Sequence, residues 1–299
     1  MVANIQIKPT ILSDGTYFID GGSLFGSIPK SSWNEQIKAD RSNRIRLSIN
    51  CLFIKTETHN LLIDTGLGST DISASSIITT PNANKLLKNL KRIGISPRDI
   101  DIVLLSNLQK DAVGGATRMD RSGRTIPVFP RAKYIVQKSC YDEIAQGNAL
   151  RISQLYDKES VINLQKSGQL ELIDGDVEIL KGINAKKTGG YSPGNQVFFI
   201  NSGTEKYIYL GSLIPTPLHL VDNAIPSYAY SLNDAWAAKK ILIKSALDEG
   251  SLLIFGRARE KQSGYITEKY GKLLVDFREL WLIYIITIYF YKFKENIIL

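Results

Sequence analysis

The stretch SNLQKDAVGG, residues 106–115, follows an apolar run and closes on two glycines, the punctuation of a loop leaving the end of a buried strand. Loops in that position carry ligand sites in α/β folds, because the scaffold holds them rigidly while their side chains stay free to face a cleft. This loop has the form of an active-site loop and few of the side chains that chemistry normally requires. The strand it leaves is DIDIVLLS (99–106).

On the N-terminal side, TYFIDGG (16–22), RLSINCLFIKT (46–56) and NLLIDTG (60–66) read as strands, and ETHN supplies a hairpin turn between the last two. NANKLLKNLKRIGI (82–95) changes to helix period: Leu86, Leu87, Leu90 and Ile93 share a face and Gly94 closes the end. On the C-terminal side, KYIVQ (133–137) reads as a strand and SCYDEIAQG (139–147) as a short helix capped by Ser139 and stopped by Gly147. A second half begins near residue 168. Its strands are QLELID (169–174), part of DVEILKGINAKKT (176–188), QVFFINSG (196–203) and KYIYLG (206–211), with SGTE as the turn between the last pair. SLNDAWAAKKILIKSALDEG (231–250) is a helix capped by Ser231 or Asn233 and ended by Gly250, and it feeds the buried strand SLLIFG (251–256). Two sets of strands, each followed by helices, predict an α/β fold with two sheets face to face and helices outside, a four-layer αββα sandwich. With no Pro-, Gly- or Ser-rich linker, one domain is expected over 1–276, followed by an apolar extension, 277–299.

The composition, 43% hydrophobic and 22% charged over 299 residues, is that of a soluble globular chain with a sizeable core. Lys and Arg outnumber Asp and Glu by 37 to 29, a net +8 that would favour anionic partners if it lay on one face. The basic residues fall in short scattered groups with no aromatic and basic platform, so they read as solvated faces and nucleic acid is not an expected partner. Cys51 and Cys140 lie far apart and outside any metal-binding cluster, as free thiols in a reducing compartment would. The N-terminus lacks an export signal, so a cytoplasmic location is expected. LWLIYIITIYFYKF (280–293) is nearly uninterrupted apolar sequence, shorter than the roughly 18 to 20 residues that span a bilayer. It reads as a terminal strand or helix buried on the domain or in a homo-oligomer contact, with peripheral membrane attachment as the alternative.

Four loops leave strand ends: SNLQKDAVGG, TGGYSPGNQ (188–196), YLGSLIPTPLHL (209–220) and IFGRARE (254–260). Together with LLIDTGLGS (61–69) and GISPRDIDIVLLS (94–106), they resemble the metallo-β-lactamase superfamily, particularly its lactonase-like hydrolases, from about residue 15 to 275. The resemblance implies a site for two divalent metals such as zinc. The family's first loop reads HxHxDHxGG, and aligning the two glycines puts Asn107, Gln109, Asp111 and Ala112 at its four ligand positions. The three remaining positions hold Tyr191, Ser212 and Arg257, and Asn195 replaces an accompanying histidine. Only the aspartate survives, so six of the seven ligand positions are substituted. Gly114, Gly115, Gly190, Gly194, Gly211 and the Asp64-Thr65-Gly66 turn match the family pattern.

The substitutions matter because such metals are held by imidazole nitrogen and carboxylate oxygen. The amide oxygens of Asn107 and Gln109 are weak and neutral, Ala112 donates nothing, and Ser212 removes a charge that would offset two dications. Arg257 carries a permanent positive charge that would repel a metal. The resemblance places Asp111 and Arg257 at positions that serve one metal, so the two are expected to pair in its stead. No metal cofactor is expected. The predicted function is a non-catalytic binding or scaffold protein of metallo-β-lactamase fold, with a small-molecule or anionic ligand as a candidate partner. The alternative is a hydrolase acting by metal-independent chemistry in the same cleft.

Other residues carry two readings each. His219 lies in a stretch that matches the family's cleft rim and is either a structural hydrogen-bonding residue or a ligand contact. A Ser212 and His219 nucleophile pair would lack the GxSxG elbow that positions such serines. The resemblance makes Asp64 a buttress beneath the site, and Tyr191 reads as a plug whose phenol stays protonated. Phe25 and Trp33 are either an apolar cleft wall or core.

Overall fold

The computed structural model describes residues 7–69, 78–146 and 155–280. Gly147 and the apolar run beyond Leu280 lie outside these residues. The first half contains strands β1 (Lys8–Asp20), β2 (Arg44–Lys55), β3 (Asn60–Ile63), β4 (Ile78–Asn82), β5 (Ile102–Leu104), β6 (Thr117–Met119), β7 (Thr125–Pro127), β8 (Lys133–Gln137) and β9 (Leu170–Ile173). Its helices are α1 (Gly21–Phe25), α2 (Lys30–Trp33), α3 (Leu86–Arg92), α4 (Lys110–Val113), α5 (Lys138–Gln146) and α6 (Lys158–Lys166). The second half contains β10 (Val177–Leu180), β11 (Ile183–Lys187), β12 (Gln196–Asn201), β13 (Lys206–Tyr209), helix α7 (Leu232–Glu249), β14 (Leu252–Ile254), β15 (Ser263–Lys269) and β16 (Lys272–Phe277).

The strands form two seven-stranded sheets, ordered β4-β1-β2-β3-β5-β8-β9 and β10-β11-β12-β13-β14-β15-β16, with β6 and β7 as a separate ribbon. In the first sheet β3, β5, β8 and β9 run parallel, and in the second only β13 and β14 do. Parallel neighbours need a crossover, and α7 provides the one between β13 and β14. Ser231 accepts the Asp234 N–H at the start of α7, and Gly250 ends it with a left-handed φ of 63°.

The sheets pack face to face through Leu52, Ile54, Leu61, Ile63, Leu104 and Ile135 on one side and Ile183, Phe198, Ile200, Tyr209, Leu252 and Ile254 on the other. A second core lies between the first sheet and its helices and a third beneath α7, which makes the arrangement the four-layer αββα sandwich that the sequence predicts. β2 has apolar layers on both sides, and from Leu47 to Ile54 every residue is buried. Polar ties cross between the sheets near the strand ends that lead to the loops. Asn50 Nδ2 donates to the Phe255 and Ala258 carbonyls at 3.0 and 2.7 Å, and Gln196 Nε2 donates to the Leu105 carbonyl at 2.7 Å.

Several boundaries differ from those the sequence suggests. The first strand begins at Lys8 and passes through a bulge between Ser13 and Gly15. Residues 21 and 22 open α1, with Asp20 accepting the Ser23 N–H. The helix expected over 82–95 contracts to Leu86–Arg92, and α5 begins at Lys138. The hairpin of β15 and β16, and helix α6, are additional elements.

Candidate functional site

Asp64, at the end of β3, fixes the first loop. Its backbone is left-handed, with φ 57°, and its carboxylate accepts from the Ser106 N–H and hydroxyl, both at 2.8 Å, and from the Tyr209 hydroxyl at 3.0 Å. Burial raises this carboxyl to about 6, against the opposing influence of the Arg257 charge and the Ser106 hydrogen bonds. One side chain thereby joins β3, the loop after β5, and β13. The loop then turns: Asn107 Oδ1 accepts the Gln109 N–H at 2.9 Å and α4 follows. The Ala112 carbonyl accepts from Thr65 N–H at 2.7 Å, and a Cβ on Gly115 would stand 2.1 Å from the Thr65 carbonyl oxygen. Gly115 therefore lets the loop lie directly against the Asp64-Thr65-Gly66 turn.

All seven positions singled out on the four loops are buried, none more than 4% exposed. At their centre Arg257 Nε donates to Asp111 Oδ2 at 2.6 Å. Arg257 Nη2 reaches Ser212 Oγ at 3.1 Å and the Asp111 carbonyl at 3.3 Å, and Nη1 reaches the Gly256 carbonyl at 3.0 Å. Burial alone would push the guanidinium down, but the Asp111 carboxylate and the surrounding acidic groups more than offset it and hold it protonated. Asn107 Nδ2 contacts Ser212 Oγ at 3.4 Å, and the Tyr191 hydroxyl donates to Gln109 Oε1 at 2.6 Å. Ala112 fills space without a polar side-chain atom.

Two further tyrosines complete the cluster and were not evident from the sequence. Tyr17 of β1 donates its hydroxyl to Asp111 Oδ2 at 3.3 Å, and the Tyr228 ring meets Tyr191 edge-on at a centroid distance of 5.9 Å. Alternation within β1 signals which face Tyr17 occupies, but nothing local signals that the face ends on Asp111. Burial pushes the Tyr17 and Tyr191 phenols well above their usual range, so both stay protonated at neutral pH.

The donor set does not fit a divalent metal. Its one carboxylate already meets a guanidinium through Oδ2, and the buried polar atoms of the cluster left without a hydrogen-bond partner among the described residues are Asp111 Oδ1 and the amide nitrogen Gln109 Nε2, of which only the first could ligate a cation. Among the described residues no group of three or more His, Cys, Asp or Glu side chains could hold a metal ion.

His219 and Ser212 are not joined by a hydrogen bond. The His219 ring nitrogens face Thr216 Oγ1 at 2.8 Å and the Leu24 carbonyl at 3.1 Å, while Ser212 Oγ faces Arg257 and Asn107. The His219 ring stacks on Phe25, and Phe25 stacks on Trp33. All three are buried, and Phe25 and Trp33 belong to the core between the first sheet and its helices. Asn195 is buried too, its amide donating to Thr188 Oγ1 at 2.8 Å within its own loop.

The family model for the metallo-beta-lactamase superfamily matches residues 44–257. An N-acyl homoserine lactonase from Bacillus cereus is 23% identical over 260 residues, covering 83% of this chain and 94% of the relative. The structure of a probable metal-dependent hydrolase from Staphylococcus aureus superposes with a TM-score of 0.79 at 25% identity, over 92% of this chain and 98% of the other. AidC, a dizinc quorum-quenching lactonase in complex with a product, superposes with a TM-score of 0.73 at 25% identity, over 91% and 95%.

Two outcomes follow from the geometry. Arg257→Met or Asp111→Asn alone should lower the unfolding free energy by about 3 to 5 kcal/mol in urea denaturation, because each strands a buried partner. The apolar double replacement Asp111→Leu with Arg257→Met should recover most of that loss. Burial also pulls the His219 imidazole down to about 3. Below its ordinary value near 6.5 the unfolded chain takes up a proton that the folded chain refuses, so this residue's stabilisation is present above that pH and is lost on acidification. Relative to His219→Gln, the wild type should lose about 1.4 kcal/mol per pH unit below about 6.5.

Proposed function

The chain belongs to the metallo-β-lactamase superfamily, and from that premise we propose that it is a non-catalytic member of a hydrolase family, acting as a binding or scaffold protein. One observation carries this reading: a buried guanidinium stands where the family's resemblance calls for a metal-binding imidazole, and it is bonded to the one remaining carboxylate. A family hydrolase needs metals that acidify a water and polarise the scissile carbonyl, and a cation held on a side chain supplies no exchangeable position for that water. Nor does this cluster contain a substitute mechanism. Ser212 has no imidazole beside it, and the Tyr17 and Tyr191 phenols are protonated donors.

The retained scaffold supports the same reading from another side. Asp64 and the first-loop glycines still set the backbone, while the side chains facing inward close on one another. A ligand of this protein would then be bound on outer surfaces rather than among these buried side chains.

The test uses the full chain exposed to excess zinc, manganese or iron, then desalted. Elemental analysis should find far less than one metal per chain, and hydrolysis of an N-acyl homoserine lactone should match the buffer rate. Stoichiometric metal, or hydrolysis that a chelator abolishes, would overturn the proposal.

A further inference from the structure

A polar atom taken out of water must find a partner or bear the full cost of its desolvation. Around Asp111 and Arg257 two atoms stand out, Asp111 Oδ1 and Gln109 Nε2, which have no hydrogen-bond partner among the described residues. Both side chains are buried, at 4% and 3% exposure. The two atoms are of opposite kind, a carboxylate acceptor and an amide donor. Turning the Gln109 amide over would give Tyr191 the nitrogen and strand the oxygen, so one amide atom is left over in either orientation.

Both atoms face one group of side chains. Gln109 precedes α4 and Asp111 is its second residue; Tyr191 bonds the first, and Tyr17 and Arg257 bond the second. Burial is the main cause that raises the Tyr17, Tyr191 and Tyr228 phenols, and the Asp111 charge adds to the rise in all three, so the carboxylate lies among them. The nearest hydrogens are already committed elsewhere: Tyr17 and Arg257 Nε donate to Asp111 Oδ2, and Tyr191 donates to Gln109 Oε1.

We propose that this cluster binds one small uncharged hydroxyl compound, a single buried water, which donates to Asp111 Oδ1 and bonds the Gln109 amide. The inference rests on the reading that no metal occupies the cluster. Charge argues against an ion: the carboxylate and guanidinium cancel, a cation at Oδ1 would be repelled by Arg257, and an anion would meet the carboxylate. Size argues for water, because Tyr17, Gln109, Asp111 and Tyr191 are each 4% exposed or less and leave a larger guest no open approach. A buried water needs roughly two to four polar partners, and these two atoms supply the minimum. The water gives the ion pair its missing hydrogen bond and adds no charge to it.

The test is X-ray diffraction from crystals of the full chain grown without added metal, at about 1.2 Å resolution. One density peak is expected about 2.6 to 3.2 Å from both Asp111 Oδ1 and the Gln109 amide. It should vanish in the Asp111→Leu, Arg257→Met double variant, and deuteron relaxation dispersion in solution should count one long-lived water fewer in that variant. The wild-type crystal decides the matter by itself if the variant does not fold. No peak at Oδ1, or a protein group bonded to it instead, would overturn the inference and leave the non-catalytic reading standing. After a rubidium chloride soak, rubidium anomalous signal at the peak would overturn it in favour of a monovalent cation. Anomalous signal at the zinc edge would overturn the inference and the non-catalytic reading together.

Discussion

A buried ion pair between Asp111 and Arg257 is the constraint around which this site is built. Asp111 belongs to the loop after β5 of the first sheet, and Arg257 follows β14 of the second, so the pair spans the two halves of the sandwich. Taking both charges out of water is costly, and the cost is offset only where the geometry also satisfies the remaining donors. Here the guanidinium spends its N–H groups on the Asp111 carboxylate, two carbonyls and the Ser212 hydroxyl. In a metal site of this family a free cation would draw the loops together. In this chain the cation is covalently attached, cannot dissociate, and leaves no coordination position for a reacting water.

The surroundings follow from that pair. A buried carboxylate and guanidinium favour neutral neighbours that bond without adding charge, and the site is completed by phenols, amides and a hydroxyl: Tyr17, Tyr191, Gln109, Asn107 and Ser212. Beneath them the backbone remains that of an active-site loop. Asp64 sits in a left-handed conformation that side chains other than glycine seldom adopt, and its bonds to Ser106 and Tyr209 hold it there. Strain of this kind usually serves chemistry. Here it holds the loop after β5 against β3 and β13.

Much of the fold was legible because the central strands of both sheets are buried and read as apolar runs between turn residues. β15 and β16 were hidden for the opposite reason: SGYITEKYGKLLVDF mixes charges with apolar residues, and its turn uses Tyr270-Gly271 in place of the Asn-Gly or Asp-Gly signal. Helix α6 did carry a signal, Asp157 accepting the Ser160 N–H, but its weak apolar stripe gave no reason to look for it. At the site, the resemblance implied which positions would converge: Asn107, Gln109, Asp111 and Ala112 by alignment on Gly114 and Gly115, and Tyr191, Ser212 and Arg257 from the three other loops. It could not reveal Tyr17 or Tyr228, which arrive from a distant strand and from the connection ahead of α7. Strand periodicity assigns a face, and depth within that face depends on sheet register.

The central claim is that a side-chain cation has replaced the metal. Crystals grown in excess zinc, with diffraction recorded on both sides of the zinc absorption edge, test it most directly. The account predicts the Arg257 guanidinium in contact with Asp111 and no anomalous density beside that carboxylate; a zinc peak coordinated by Asp111, with Arg257 swung away, would contradict it.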